Sequence, residues 1–271
     1  MKKRTIAILI LVYLILFNSS QVFTQTPNTE KKSMVRIGLG NSFSGYREET
    51  IVDTNRYLNT FIVTINGNIE KGRFLHSYNI GFFRGINKAI FAYPVYQYEL
   101  QPDNYGQLYK YYQAEDKLSR LFLEYSLDYR LWGNNVFPGY AGLAFRGDIY
   151  LIETLINPVY INFTGIGSLD LHVSQKWIIN SKNTLAFSLS FPVFGYAIRP
   201  HYIGFSAWPF ETDIVSLHNY WAGFGNLKYQ YAFTERISLY ADIGIELSRI
   251  DFPRPRKDAG LQLILGIGYT Y

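Results

Sequence analysis

Apolar and polar residues alternate with a period of two along most of this chain. The clearest example is 121–131, where the odd positions are apolar or aromatic and most even positions are polar. The same alternation runs from Leu185 to Val193 and from Ile237 to Ser248. Successive side chains of a β-strand point to opposite faces, so each segment predicts a strand with one apolar and one polar face. No stretch has the periodicity of a long helix, and the pattern predicts an all-β protein.

The predicted strands have the length that a tilted strand needs to cross a bilayer. Short and long connectors alternate between them, which is typical of transmembrane barrels with short periplasmic turns and longer outer loops. With both termini in the periplasm, the sequence predicts ten antiparallel strands. They should close into an up-and-down barrel, because unpaired backbone groups are costly in hydrocarbon. The short connectors are 70–73, 132–135, 180–183 and 233–236, and the long ones are 45–57, 84–118, 150–160, 198–218 and 248–257.

One segment leaves the strand count open between ten and twelve. The stretch 89–113 contains alternating aromatic residues on both sides of a turn-like sequence, 102–106, and could form one further hairpin in the bilayer. Pro94 argues against that position, because proline cannot donate to a closed hydrogen-bond ladder. We therefore expect an extracellular hairpin here and ten strands in the wall, with twelve as the alternative.

The C-terminal eleven residues form the most characteristic strand. Their odd positions are all large and apolar or aromatic, and the chain finishes on Tyr271. This pattern resembles the C-terminal strand of bacterial outer-membrane β-barrel proteins. The resemblance implies location in the outer membrane, contact with its lipid, and recognition of the terminal strand by the barrel assembly machinery. The residues that would carry this assembly signal are Leu263, Leu265, Ile267, Tyr269 and Tyr271.

The N-terminus has the layout of a secretory signal peptide. Lys2, Lys3 and Arg4 precede an apolar run, 6–17, that is shorter than the roughly 20 residues of a spanning helix. Small residues before position 25 fit a cut after Thr24, although an uncleaved anchor is the alternative. The predicted organisation is therefore a signal peptide at 1–24, a short periplasmic segment at 25–33 and a barrel at 34–271.

Charge and cysteine content exclude several partners. The net charge of +5 falls to +2 (5 − 3) when the three signal-peptide cations leave, so no basic surface for nucleic acid remains. The chain has no cysteine, which excludes disulfides and an N-terminal lipid anchor on cysteine. The 24 tyrosines and 20 phenylalanines suit aromatic girdles at both membrane interfaces.

If the apolar faces meet lipid, the opposite faces line a charged lumen. The structural interpretation is that these side chains pair and fill a narrow barrel, and the functional one is an eyelet that selects small solutes by charge. The predicted lumen-lining residues are Arg36, Glu124, Asp128, Arg130, Arg146, Asp148, Asp170, His172, Lys228, Asp242 and Glu246.

One strand combines a carboxylate, an imidazole and a hydroxyl on one face, at Asp170, His172 and Ser174. These residue types can form a hydrolytic centre. The Asp-x-His spacing is similar to that of the omptin proteases, and His-x-Ser to that of the outer-membrane lipid A deacylases. No Asp-x-Asp pair supports the protease. The deacylase pair should face lipid, but here the apolar neighbours Leu171 and Val173 are expected on the lipid side. We therefore expect lumen packing for all three, with lipid A or peptide hydrolysis as the alternative.

The outer loops are rich in aromatic residues. Tyrosine offers a large rigid contact area with a polar tip, which suits binding of glycans or proteins, although rings at this level also extend an aromatic girdle. The four histidines lack metal-ligand spacing, and we expect no metal site and no cofactor. The sequence thus predicts a structural or surface-binding barrel, with a narrow solute channel as the alternative. The candidate binding residues are Tyr93, Tyr96, Tyr98, Tyr105, Tyr109, Tyr111, Tyr112 and Trp208.

Overall fold

The computed structural model describes residues 32–48, 54–94, 109–154, 160–200, 210–252 and 255–271. Eleven β-strands make up this part of the chain, and none of its segments is a helix long and apolar enough to cross a membrane. In chain order the strands are β1 Lys32–Glu48, β2 Thr54–Lys71, β3 Phe74–Pro94, β4 Tyr109–Trp132, β5 Gly139–Thr154, β6 Tyr160–Ile178, β7 Asn183–Pro200, β8 Phe210–Ser216, β9 Tyr220–Ala232, β10 Ile237–Ile250 and β11 Arg256–Thr270.

The strands form one closed antiparallel barrel. Each strand from β1 to β7 pairs with the next along the chain, β9 pairs with β7 and β10, and β11 pairs with β10 and β1. The β1–β11 ladder, from Met34↔Thr270 to Glu48↔Arg256, seals the cylinder. Closure leaves no free edge within the bilayer, as the backbone requires there. The all-β barrel that the alternation predicts is thereby confirmed.

β8 and β9 occupy a single place in the wall. Both run antiparallel to β7: β8 lies beside Phe194–Pro200, and β9 lies beside Asn183–Ser190. Residues 217–219 interrupt what is otherwise one strand. At this interruption the Asn219 side-chain oxygen accepts a hydrogen bond from the backbone amide of Ser216 at 2.8 Å. The eleven strands therefore fill ten positions around the barrel, so the predicted wall of ten is confirmed. The 198–218 stretch, which the sequence predicts as loop, contains β8.

Side-chain exposure follows the predicted alternation. On β10 the odd positions from Ile237 to Leu247 face outwards, whereas the even positions are buried in the lumen. β4 shows the same pattern from Leu121 to Leu131, and β11 from Leu261 to Tyr269. The outer face is thus a continuous belt of leucine, isoleucine, phenylalanine and tyrosine, the surface that a barrel presents to lipid.

Both described termini lie at the end of the barrel that carries the tight turns. Gly72, with φ of 62°, forms the two-residue turn between β2 and β3, in the left-handed region that glycine favours. At the same end the Tyr271 amide donates to the Ser33 carbonyl at 3.0 Å. Short turns of such barrels face the periplasm, so this is the periplasmic end. The predicted signal peptide at 1–24 and residues 25–31 of the predicted periplasmic segment lie outside the described residues.

The β3–β4 hairpin rises above the outer rim. Their pairing continues to Pro94↔Tyr109, whereas β2 stops pairing with β3 at Gly85 and β5 stops pairing with β4 at Asp116. Beyond those points the described residues of the two strands pair only with each other. The described parts of 89–113, which are 89–94 and 109–113, therefore belong to a projecting hairpin and add no strands to the wall. The strand ends also occupy much of the predicted long connectors, since the ladders continue into them.

Candidate functional site

A charge network crosses the lumen near mid-height. Arg120 of β4 donates from Nε to Asp148 of β5 at 2.8 Å, and from Nη1 to Glu246 of β10 at 2.7 Å. A second guanidinium nitrogen reaches the other Glu246 oxygen at 3.1 Å. All three side chains are buried, and two carboxylates on opposite sides of the lumen hold one arginine. We call Arg120, Asp148 and Glu246 the lumen network.

Aromatic rings and a second arginine pack around this network. The Arg120 guanidinium carbon lies 4.7 Å from the ring centre of Tyr150 and 5.1 Å from that of Phe83. Arg256 approaches Tyr150 at 5.0 Å and pairs with Asp258 at 2.8 Å. Cations over ring faces gain stabilisation that grows when both are shielded from water. Tyr150 therefore lies between two arginines and fills the centre of the barrel.

Below the lumen network lies a cavity of about 610 Å³. It extends from Arg120 and Glu246 down to the periplasmic turns, where Ser181, Lys182 and Glu235 line its mouth. Above the network, the described residues enclose voids of about 30 Å³ and 10 Å³ around Tyr150 and Arg256. The lumen is therefore roomy on the periplasmic side and filled on the outer side.

Two further ion pairs lie in the wall of this cavity or beside it. Arg146 pairs with Glu124 of the neighbouring strand, and its guanidinium carbon lies 3.4 Å from the ring centre of Phe224. Lys228 pairs with Asp242 at 3.3 Å, and Asn226 donates to the same carboxylate. Together with Asp148 and Glu246 of the lumen network, these pairs place six of the predicted lumen residues inside the barrel.

Arg36 has a different environment. Its two terminal nitrogens donate to the amide oxygens of Asn66, at 3.4 Å, and of Gln230, at 3.1 Å. Asn66 in turn donates to the Tyr240 hydroxyl at 3.3 Å. Among the described residues the guanidinium forms no ion pair, and its buried Nε has no hydrogen-bond partner. Arg130, by contrast, lies near the periplasmic rim, where it donates to Asn135 in the turn after β4.

His172 pairs with Asp128 across an intervening strand. Asp128 lies on β4 and His172 on β6, and both are register partners of Gly142 on β5. The Nδ1 of His172 lies 2.8 Å from an Asp128 oxygen, and Ser126 donates to the other oxygen at 2.9 Å. A Cβ at position 142 would lie 2.7 Å from the Asp128 oxygen that contacts His172. The glycine thus leaves the space through which the two side chains meet.

The structure does not assemble the hydrolytic centre that the sequence suggests. Asp170 is fully buried and accepts a hydrogen bond from Ser168 at 2.6 Å, with its second oxygen unpartnered. The Ser174 hydroxyl also lacks a partner and lines the cavity. The carboxylate beside His172 is therefore Asp128, on another strand, and not Asp170. Sequence spacing along one strand could not reveal this pair.

The remaining predicted residues are placed in backbone terms only, or lie beyond the described part. Tyr93, Tyr109, Tyr111 and Tyr112 belong to the projecting hairpin, paired as Tyr93↔Lys110, Pro94↔Tyr109, Ala92↔Tyr111 and Phe91↔Tyr112. Tyr96, Tyr98, Tyr105 and Trp208 fall outside the described residues. The five residues of the expected assembly signal all point outwards. Among the described residues, no group of three acidic or histidine side chains could hold a metal ion.

Sequence reasoning missed the residues that close the lumen. Arg120 has the same parity on β4 as Glu124 and Asp128, but it lies between the predicted connector 84–118 and Leu121, where the clear alternation begins. Arg256 lies in another predicted loop, and Tyr150 at the start of a third. The strands run further outwards than apolar alternation indicates, because polar and aromatic inward positions continue them.

No protein-family profile and no curated protein sequence matches the chain. Among solved structures it is similar to the outer membrane protease OmpT of Escherichia coli, with a TM-score of 0.55, 8% identity, and coverage of 93% of this chain and 99% of that one. The translocator domain of the autotransporter NalP of Neisseria meningitidis has a TM-score of 0.43, with 9% identity and coverage of 100% and 98%. An outer membrane channel of Pseudomonas putida F1 has a TM-score of 0.39, with 11% identity and coverage of 93% of this chain and 100% of that one.

These similarities concern the fold. At 8% identity, the similarity to the protease OmpT shows the fold and assigns no activity to this chain. The closed barrel and its exposed apolar belt make this chain an integral membrane protein. Its fold is that of bacterial outer-membrane barrels, and its location is the bacterial outer membrane.

Proposed function

We propose that this protein is a non-conducting outer-membrane barrel that acts as a surface-binding protein through its β3–β4 hairpin. The observation that carries the proposal is the hairpin itself, whose two strands stay in register up to Pro94↔Tyr109, beyond the last described pairings of β3 with β2 and of β4 with β5. A paired hairpin loses less conformational entropy on binding than a free loop does. Its sequence and that of its tip are rich in tyrosine.

The lumen supports a role that does not depend on solute passage. Arg120 fills the centre between Asp148 and Glu246, and Tyr150 fills the space above it. Opening this layer would separate buried ion pairs, which is strongly unfavourable because it leaves a buried charge uncompensated. A selective pore needs a continuous polar path, and the filled outer half works against it.

The binding proposal is tested with purified barrel in lipid nanodiscs on a printed glycan array. We expect retention of glycans by the unaltered protein and loss of that retention when 89–114 is replaced by Asn-Gly, which joins the register partners Lys88 and Glu115. A second variant, with serine at Tyr96, Tyr98 and Tyr105, keeps the length of the hairpin and separates ring contacts from hairpin shape. Equal retention by all three proteins contradicts the proposal, and capture of proteins but no glycan redirects it to a protein partner.

Conductance tests the closed lumen separately. Purified barrel in planar bilayers should show no stepwise current. Stable, ion-selective steps from the unaltered protein would replace this proposal with the narrow channel.

A hydrolytic role is the second candidate, and one observation favours it. The Asp128–His172 contact at 2.8 Å is the arrangement in which a carboxylate orients a histidine base, and His172 borders the cavity. If the purified protein cleaves lipid A or a peptide, His172→Ala should abolish that turnover. Unchanged turnover in this variant would remove the candidate.

A further inference from the structure

The cavity below the lumen network is large and defined enough to bind a small molecule. Its volume of about 610 Å³ lies inside the range of roughly 300–1,000 Å³ that is typical of ligand sites. One end is closed by Arg120 and Glu246, and the other reaches the exposed turns at Lys182 and Glu235. A ligand would therefore enter from the periplasm and stop at the lumen network.

The charges of the cavity are mostly balanced in place. Arg146 has Glu124 and Lys228 has Asp242, while Arg120 has two carboxylates, which leaves one negative formal charge at the closed end. The mouth carries both signs, with Lys182 and Glu235. A preference for an anion must therefore arise from a cation that forms no ion pair within the wall.

Arg36 is such a group. Its hydrogen-bond partners are the neutral amides of Asn66 and Gln230, and its Nε has none. A guanidinium in a partly desolvated lumen gains most from a carboxylate or phosphate, which its fork of donors matches in geometry. Among the described residues no carboxylate pairs with it, and the nearby Asp242, whose charge attracts it, already pairs with Lys228. The position suits an anionic group supplied from outside the protein.

Other residues that line the same space carry buried polar atoms without a hydrogen-bond partner. These atoms are the amide oxygens of Asn68 and Asn79, the Ser174 hydroxyl and Nε of Arg146. Buried polar groups normally find a partner, and several in one cavity indicate a polar occupant. Amide oxygens require donors, so the occupant should carry hydroxyl groups in addition to its anion.

We propose that the periplasm-facing cavity binds a small hydroxylated anion, with Arg36 as the residue that holds its carboxylate or phosphate. Asn68, Asn79 and Ser174 would accept or donate hydrogen bonds to its hydroxyl groups. The site is independent of the extracellular hairpin and faces the opposite compartment. It would give the barrel a periplasmic ligand in addition to its surface contacts.

The test uses calorimetric titration of the folded, full-length barrel in nanodiscs. The probes are gluconate, glucose 6-phosphate, inorganic phosphate and glucose. We expect saturable binding of gluconate or glucose 6-phosphate, weaker binding of phosphate, and none of glucose. Arg36→Gln should lower the affinity for the anion by about tenfold or more, which is the scale of one charge-assisted hydrogen bond. Arg73→Gln is the matched control, since Arg73 lies at the same end of the barrel and bonds Tyr129 outside the cavity.

A cavity-filling variant keeps the test decisive if Arg36→Gln does not fold. Ser174→Phe leaves the charges in place and occupies the space, so it should also abolish binding. The proposal is overturned if no probe binds the unaltered barrel, which would make the cavity a solvent-filled space. It is also overturned if glucose binds as well as gluconate, or if both Arg36→Gln and Ser174→Phe bind like the unaltered protein.

Discussion

Arg120 and Glu246 lie on opposite walls of the barrel, and their side chains meet at 2.7 Å. In the strand order, β4 and β10 are five positions apart in a wall of ten, which is the greatest separation the cylinder allows. One arginine spans the lumen because the closed barrel is narrow and because Asp148 fixes the guanidinium from the adjacent strand. This contact divides a filled outer half from a hollow periplasmic half.

Removal of Arg120 should destabilise the barrel strongly. Arg120→Ala leaves Asp148 and Glu246 buried and uncompensated, and breaking a buried ion pair in this way costs about 3–5 kcal/mol. The measurement is the free energy of unfolding by denaturant in detergent micelles. Replacing all three residues together by leucine or methionine should recover much of the loss, since no buried charge then remains. A single variant as stable as the unaltered protein would mean that the network does not hold the lumen closed.

Gly142 should be required for the contact between Asp128 and His172. A Cβ at this position would lie 2.0 Å from the carbonyl oxygen of Leu127, and we expect Gly142→Ala to cost about 1–3 kcal/mol through overpacking. Gly147→Ala is the matched control on the same strand, because a Cβ there meets nothing within 4 Å. The comparison is made by denaturant unfolding. Equal effects of the two substitutions would show that Gly142 has no special place between β4 and β6.

Adjacent residues of β11 should tolerate charge differently. Leu263 is exposed on the outer belt, whereas Gln262 lines the cavity. We expect Leu263→Arg to lower the free energy of unfolding in lipid vesicles by about 2–4 kcal/mol, the cost of arginine near the bilayer midplane. Gln262→Arg should cost less, since its side chain stays in the polar lumen. A reversed order of the two variants would contradict the assignment of the outer face.

The terminal tyrosine should matter for assembly more than for stability. Tyr271 points outwards, and its backbone amide bonds to Ser33. If the assembly machinery reads this strand, deletion of Tyr271 should reduce the amount of folded barrel in the outer membrane of cells, while refolding of the purified chain into detergent changes little. Heat-modifiable migration on gels measures both. Normal assembly in cells would remove the proposed signal.

The wall of the barrel could be predicted from the sequence because it depends on local alternation. Leu121 to Leu131 faces lipid at every second position, and nothing beyond period two is needed to recognise that. β8 was not predictable in this way, since the interruption at 217–219 shifts the register within one strand. Val193 and Phe194 both face outwards at a bulge on β7, which also breaks the alternation.

The contacts inside the lumen could be predicted only in part. The parity of Glu124, Asp128, Asp148 and Glu246 indicates that they point inwards. Their partners depend on strand number and register around the whole cylinder, which local sequence does not contain. His172 illustrates this limit: its partner Asp128 lies 44 positions away, and the contact passes over a glycine on a third strand.

The central claim is a lumen that is accessible from the periplasm and closed towards the outside. The chain has no cysteine, so a single Ser174→Cys variant reports on the cavity, and Ser42→Cys reports on the small void above Arg120. The probe is a small, membrane-impermeant thiol reagent. It should label a cysteine at position 174 in cells whose outer membrane has been permeabilised to the reagent, and leave that cysteine unlabelled in intact cells. A cysteine at position 42 should be labelled in neither case. Rapid labelling of position 174 from outside intact cells would show an open path through the barrel and contradict the account.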